Sequence, residues 1–292
     1  MPNGDRVSKF PDQVFKNEGP LTPLQEVAVR LIVGWDTDEP EVVGTGTVLS
    51  GHLIITARHV IADLVSAAVD GVMPKTLVAV QLVPLSGSFE YLIWDIHQAT
   101  LDPVADLALL HVAVNPARSS PNRTHVWKQP VIEPFPPSVG AAVAAFGFCK
   151  GRVAVSQNEA GGKHYDLNDE PMSSTGIVEE IHALRLDSVL RPFPCYRVSA
   201  RFDPGMSGGP VFNESGALCG IVCTGMWGAH EDGNPISYAS TLWPMFRLRV
   251  SQDRGPAHPR GIQYVAMELA RGGQVRVKDL ARLEAWFAER VR

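Results

Sequence analysis

No stretch of this chain is long and apolar enough to cross a bilayer as a helix. Its most hydrophobic run, Val139 to Phe148, is ten residues, about half of the roughly 20 that a span requires. Cysteine is scarce, four in 292 residues, which excludes a disulfide-stapled scaffold. Positive charge is not in excess: Lys and Arg number 26 against 31 Asp and Glu, a net charge of −5. That balance draws the chain neither to nucleic acid nor to an anionic membrane. No C-x-x-C or H-E-x-x-H occurs, so no metal site and no cofactor are expected. The first 25 residues carry Asn3, Asp5, Lys9, Asp12 and Lys16 without an apolar core segment, and the chain starts with Met. The expectation is therefore no secretory signal and a cytoplasmic location.

Hydrophobic residues make up 45% of the chain and charged ones 20%, enough apolar material for one large core or two smaller ones. Gly (26) and Pro (23) punctuate short segments rich in Val, Ile, Leu and Thr. Val27–Val33, Val42–Leu49, Leu53–Ala57, Leu77–Val83, Leu107–Val112, Ala141–Phe146, Gly176–Ile181 and Ala217–Val222 are examples. Strands this short between turn signals indicate an all-β barrel or sandwich. Helical spacing is rare. Val60–Val69 is one candidate, and Val277–Val291 is the other, with Leu280, Leu283, Trp286 and Phe287 on one face. Six prolines between 115 and 138 suit neither strand nor helix, so this stretch reads as a linker. It separates a first β unit (26–114) from a second (139–250), with 1–25 and 251–292 as extensions outside the β pattern. Ser156–Ser174 is polar, contains Gly161-Gly162 and reads as a long surface loop.

Three places could carry chemistry. Asp203-Pro204-Gly205-Met206-Ser207-Gly208-Gly209-Pro210 puts a serine on a tight glycine turn, where its hydroxyl is exposed and backbone amides converge on an oxyanion. A serine needs a base at neutral pH, and His59 stands at the end of the apolar run Leu53–Ala57. The base in turn needs an orienting carboxylate. Asp106 directly precedes the apolar Leu107-Ala108-Leu109-Leu110. Each signal alone is weak; in this order they reinforce one another.

Thr56-Ala57-Arg58-His59-Val60, Asp106-Leu107-Ala108-Leu109-Leu110 and Gly205-Met206-Ser207-Gly208-Gly209-Pro210 resemble the three signatures of chymotrypsin-fold, trypsin-like serine peptidases. The spacings of 47 and 101 residues are similar too. Ser174–Val178 and the approach from Ala200 to Pro204 look closer to bacterial HtrA-type members than to secreted digestive enzymes. The resemblance implies two antiparallel six-stranded β-barrels, an active site in the cleft between them, and here a C-terminal helix in addition. It implies a serine endopeptidase in which His59 is base then acid and Asp106 orients it. Ser207 is then the nucleophile, and the amides of Gly205 and Ser207 form the oxyanion hole. Its partner would be a protein or peptide substrate.

The chain departs from the secreted members at three positions. Val60 and Asp203 stand where those place cysteines, which fits a reduced interior. Met206 stands where they carry the aspartate that binds a freshly cut N-terminus, so that switch is not expected here. All four cysteines read as small buried hydrophobes, and Cys219 and Cys223, in one strand, are not suited to a mutual bridge. Arg201 holds the place where trypsin has its pocket aspartate. With Phe202, Thr224, Gly225 and Ile236 it lines the expected substrate pocket, where a cation disfavours cleavage after Lys or Arg. Acidic side chains are expected there if Arg201 points inward, and small or medium apolar ones if it points to solvent. The run Met226–Asn234 reads as an insertion in the pocket wall. Helix Val277–Val291 either packs back on the second barrel or docks a regulatory protein through Trp286 and Phe287. Two other readings remain open. A catalytically silent peptidase-like scaffold would bind proteins without cutting them. An α/β-hydrolase would use Gly205–Gly209 as its elbow, but it needs a late acid and histidine, and only His230 and His258 follow Ser207.

Overall fold

The computed structural model describes residues 13–14, 26–68, 75–85, 88–120, 129–157, 162–186, 192–226, 236–252 and 262–290. A short strand, β1 (Gln13–Val14), precedes the first unit. That unit is built from β2 (Ala28–Val33), β3 (Glu41–Ser50), β4 (Leu53–Thr56), helix α1 (Arg58–Ser66), β5 (Leu77–Leu85), β6 (Ser88–Leu101) and β7 (Ala108–Val114). Its six strands close as β2-β3-β4-β7-β6-β5, the expected antiparallel barrel.

The interior explains why β4 and the start of β7 read as unbroken apolar runs instead of alternating ones. Ile54, Ala108 and Leu110 fill the barrel with Val29, Leu31, Leu92 and Trp94. Leu53, Ile55, Leu107 and Leu109 face the other way, into a cluster with Leu218, Ile221 and Leu242 of the second unit. Both faces of these strands are covered, so both are hydrophobic. The strand ends that carry His59 and Asp106 therefore sit at the seam between the units.

The second unit contains β8 (Val131–Ile132), β9 (Ala142–Gln157), β10 (Lys163–His182), β11 (Cys195–Val198), β12 (Pro210–Asn213), β13 (Leu218–Met226) and β14 (Ile236–Ser240). Six of its strands pair in a ring, β12-β9-β10-β11-β14-β13 and back to β12. Beyond the plain barrel expected, the sheet also carries β1 against β10 and β8 against β13. β8 falls inside the proline-rich stretch expected to be a linker, of which 121–128 lie outside the described residues.

The polar segment Ser156–Ser174 is not a surface loop. Most of it is strand, because β9 and β10 form one long hairpin. Its composition hides a period of two. Tyr165, Leu167 and Asp169 are half-buried, between the exposed His164, Asp166, Asn168 and Glu170. The inward face lies on the first barrel. Trp35 stacks on Tyr165 at 4.1 Å. Arg30, buried and 3.7 Å above the Phe148 ring, holds Asp169 through two hydrogen bonds.

Residues 251–292 are not outside the β pattern either. A 3-10 turn, Trp243–Arg247, leads into β15 (Arg249–Gln252), which pairs with β16 (Ile262–Val265). Helix α2 (Ala266–Arg271), β17 (Arg276–Val277) and helix α3 (Leu280–Arg290) follow. The expected helix thus starts three residues later than its periodicity suggests, since Val277 pairs with Ile132 of β8 instead. α3 packs back on the second unit: Leu283 is fully buried, and Trp286 lies 4.3 Å from Trp243 and 5.8 Å from Phe135, ring to ring. Among the described residues, no helix is long and apolar enough to cross a membrane.

Candidate active site

His59 opens the first turn of α1, directly after β4. Its Nδ1 is 2.8 Å from Asp106 Oδ2, and its backbone N–H donates to Asp106 Oδ1 at 3.0 Å. The carboxylate is buried while the imidazole side chain is 48% exposed, so the pair is anchored at Nδ1, and among the described residues no hydrogen bond is made by Nε2. Burial of the ring disfavours its charged form. The hydrogen bond and the charge of Asp106 outweigh that and hold His59 above its ordinary 6.5. For Asp106, burial pushes the other way, but the bonds and charge of His59, the Cys223 thiol and the His59 amide keep it below its ordinary 3.8.

Ser207 lies in the turn before β12, and the glycines around it are required by space as well as by backbone angle. Gly208 has φ +84°, and a Cβ there would sit 2.0 Å from the Thr45 carbonyl oxygen. Gly205 has φ +97°, and its Cβ would sit 2.3 Å from the Phe148 oxygen. The turn is held from the first barrel. The Thr45 amide donates to the Ser207 carbonyl at 2.9 Å, and the Thr45 hydroxyl donates to the Gly205 carbonyl at 2.8 Å. The Thr47 hydroxyl donates to the Gly208 carbonyl at 3.0 Å. Among the described residues, nothing accepts a hydrogen bond from the amides of Gly205 or Ser207, which leaves both donors uncommitted.

The Ser207 hydroxyl donates to the Cys223 carbonyl at 3.3 Å and makes no bond to His59. Cys223 also sends its thiol to Asp106 Oδ2 at 2.9 Å. One residue of β13 therefore touches both the acid and the serine, and Cys223 is not the inert hydrophobe expected from its type. Its signal in the sequence was position alone, in the strand expected to bind substrate. The other expectation for cysteines holds: all four are buried and unbridged. Burial, with smaller contributions from its surroundings, pushes the thiols of Cys149 and Cys219 up to about 12.

The pocket residues divide. Phe202 is buried, its amide bonded to Ser237 Oγ at 3.2 Å, and a Cβ on Gly225 would lie 2.2 Å from its carbonyl oxygen. Thr224, Gly225 and Ile236 lie on the paired strands β13 and β14, beside Phe202. Arg201 does not project into this space as a buried cation. Its guanidinium binds Asp203 Oδ1 at 2.8 Å and its side chain is 50% exposed, because water and an adjacent carboxylate solvate the charge better than the Phe202 side can. Met206 is fully buried; its Sδ is 3.3 Å from the Asp203 amide. Residues 227–235, His230 and His258 lie outside the described residues.

Residues 44–221, more than half of the chain, match the trypsin-like peptidase domain family. No curated protein matches the chain in sequence. Among solved structures, the apo protease domain of MamO from Magnetospirillum magneticum is 18% identical over 75% of this chain and 93% of its own, with a TM-score of 0.46. The inactive form of the Rv3671c protease, from M. tuberculosis, is also 18% identical, over 75% and 84%, with a TM-score of 0.42. Deg5 is 17% identical over the same shares, with a TM-score of 0.45.

Proposed function

The chain belongs to the trypsin-like peptidase family, and from that footing we propose that it is a serine endopeptidase acting through an acyl-enzyme. The observation that carries the proposal is the His59–Asp106 pair. With Nδ1 held as a donor to the carboxylate at 2.8 Å, the neutral ring keeps its lone pair on Nε2, where a base must have it. Rotation of the Ser207 side chain takes its hydroxyl from the Cys223 carbonyl to Nε2. Oγ then attacks the scissile carbonyl while its proton passes to His59. The oxyanion is received by the two uncommitted amides of Gly205 and Ser207. His59 returns the proton to the leaving amine, and water, activated the same way, releases the acyl group.

Asp203 is neutralised by Arg201, so among the described residues next to Phe202, Gly225 and Ile236 no free carboxylate is presented to a basic side chain. We place cleavage after small or medium apolar residues. Met206, buried and apolar, offers a new N-terminus no partner, which leaves activity to be controlled by other means. The unbridged cysteines suit a reducing compartment. A second reading, a silent protein-binding scaffold, draws on the resting Ser207 hydroxyl facing Cys223 instead of His59. Digestion of a peptide library by the purified chain, paired with a serine-directed phosphonate probe, separates them. The enzyme forms an adduct at Ser207 and cuts after apolar residues; no adduct supports the scaffold, and dominant cleavage after Lys or Arg overturns the pocket reading.

The Cys223 thiol gives a further expected result. A hydrogen bond to a charged group is worth about 1.5–3 kcal/mol, so Cys223→Ala should lower kcat/KM by about tenfold or more. Cys223→Ser, which restores a donor to Asp106, should recover most of it. Equal rates for the alanine variant and the wild type would show that this bond does not matter.

A further inference from the structure

Asp102 is fully buried and collects five hydrogen bonds at one carboxylate. Its Oδ1 accepts from the amides of Val104 and Ala105 at 2.8 and 2.7 Å. Arg247 supplies the rest: Nη2 to Oδ1 at 2.8 Å and to Oδ2 at 3.1 Å, and Nε to Oδ2 at 3.2 Å. The Asp102 amide donates to the Leu107 carbonyl at 2.9 Å, so the loop 102–107 is closed at its base as well as along its length. Asp106 projects from that loop to His59. Arg58, the neighbour of His59, donates to the Pro103 carbonyl of the same loop at 3.3 Å.

Arg247 comes from the far end of the chain, beyond the segment that matches the family. It ends the 3-10 turn whose Trp243 ring lies 5.7 Å beneath its guanidinium and packs against Trp286 of α3 at 4.3 Å. The next strand is fixed to the first barrel, where the Thr100 hydroxyl donates to the Arg249 carbonyl at 2.9 Å. The C-terminal segment is thereby joined to the loop of the catalytic acid through one forked ion pair.

We propose that Arg247 is a positioning residue for the catalytic centre, holding Asp102 so that loop 102–107 presents Asp106 to His59. The role rests on the peptidase reading given above. A planar guanidinium fixes a carboxylate in two directions, whereas an ammonium is a single charge that leaves it free to turn. Loss of the fork lets the loop shift, and a displacement of about 1 Å at a catalytic group can cost about 10²-fold in rate.

The test compares Arg247→Gln and Arg247→Lys with the wild type by three measurements: thermal unfolding, NMR titration of the His59 ring, and the rate of phosphonate labelling at Ser207. The ring is acted on by Asp106, which raises its pKa, with the Cys223 thiol bonded to that same carboxylate and Arg58 alongside. In folded Arg247→Gln, the His59 pKa should fall towards 6.5 and labelling should slow by about 10²-fold. Arg247→Lys should fall in between, and in peptide hydrolysis the loss should appear in kcat more than in KM. If the glutamine variant does not fold, the lysine variant, which keeps the charge beside Asp102, is read in its place. A folded variant with the wild-type His59 titration and the wild-type labelling rate overturns the proposal. A wild-type protein that takes no label overturns the peptidase reading instead, and the titration still reads the part played by Arg247.

Discussion

Ser207→Ala should reduce kcat/KM for peptide hydrolysis by about 10⁴–10⁶, and His59→Ala by a similar factor. The members of such a site act as a unit, so removing either one removes nearly the whole covalent route. The residual rate comes from binding and from the amides of Gly205 and Ser207, which neither substitution touches. The serine variant should keep its fold, because the hydroxyl makes one hydrogen bond, 3.3 Å to the Cys223 carbonyl, while the turn is held through its backbone carbonyls by the Thr45 amide and the Thr45 and Thr47 hydroxyls. Hydrolysis of a peptide substrate, measured beside a thermal melt, checks both statements. Cleavage by Ser207→Ala at the wild-type rate would end the assignment.

Asp106→Asn should cost about 10⁴-fold, for a reason visible in the bonding. Asp106 accepts from two donors on His59, the backbone amide at Oδ1 and the ring at Oδ2. An asparagine can accept only one of them. If its oxygen stays with the amide, its NH₂ faces Nδ1 and makes that nitrogen an acceptor, so the proton moves to Nε2 and the ring can no longer take one from Ser207. The pH profile separates this from simple loss of packing. In the wild type the base must be neutral, and His59 lies above 6.5, so kcat/KM should fall as the pH drops through a midpoint above 6.5. In the asparagine variant the ring loses its negative partner, its pKa drops, and the acid limb moves to lower pH. A wild-type profile flat from pH 5 to 8 contradicts the base role of His59.

The parts of this site legible in the sequence were those fixed by local chemistry. His59 and Asp106 flank apolar runs that could only be buried strands, and Ser207 sits among glycines whose Cβ positions the structure shows to be filled by other atoms. The barrel formed by β2–β7 was legible for the same reason, since its strands alternate or run apolar between turns. What was hidden depended on partners far away in sequence. The hairpin of β9 and β10 looked like a loop because its inward Tyr165 and Leu167 are interleaved with polar residues, and only a first-barrel cluster of Ile32, Trp35, Val78, Val80 and Ile93 makes that face worth burying. The position of Arg201 relative to Ser207 left open whether it points inward or to solvent, and its pairing with Asp203, two residues on, turns it outward. Cys223 and Arg247 had no motif at all. A thiol becomes a donor only when a carboxylate is brought to it, and an arginine becomes a clamp only when Asp102 arrives from the other unit.

The grip of Thr45 and Thr47 on the serine turn has a consequence in time. These bonds join residues about 160 positions apart, and contacts that distant form late because the entropy of closing the intervening loop must be met first. During synthesis His59 and Asp106 leave the ribosome long before Ser207, and the turn that aims the two amides lacks its bonds to Thr45 and Thr47 until both units have met. On the peptidase reading, a nascent or half-folded chain carries every residue of the site before it carries the site's geometry. On that reading, the ability to cut arrives with the last long-range contacts and not with the last residue.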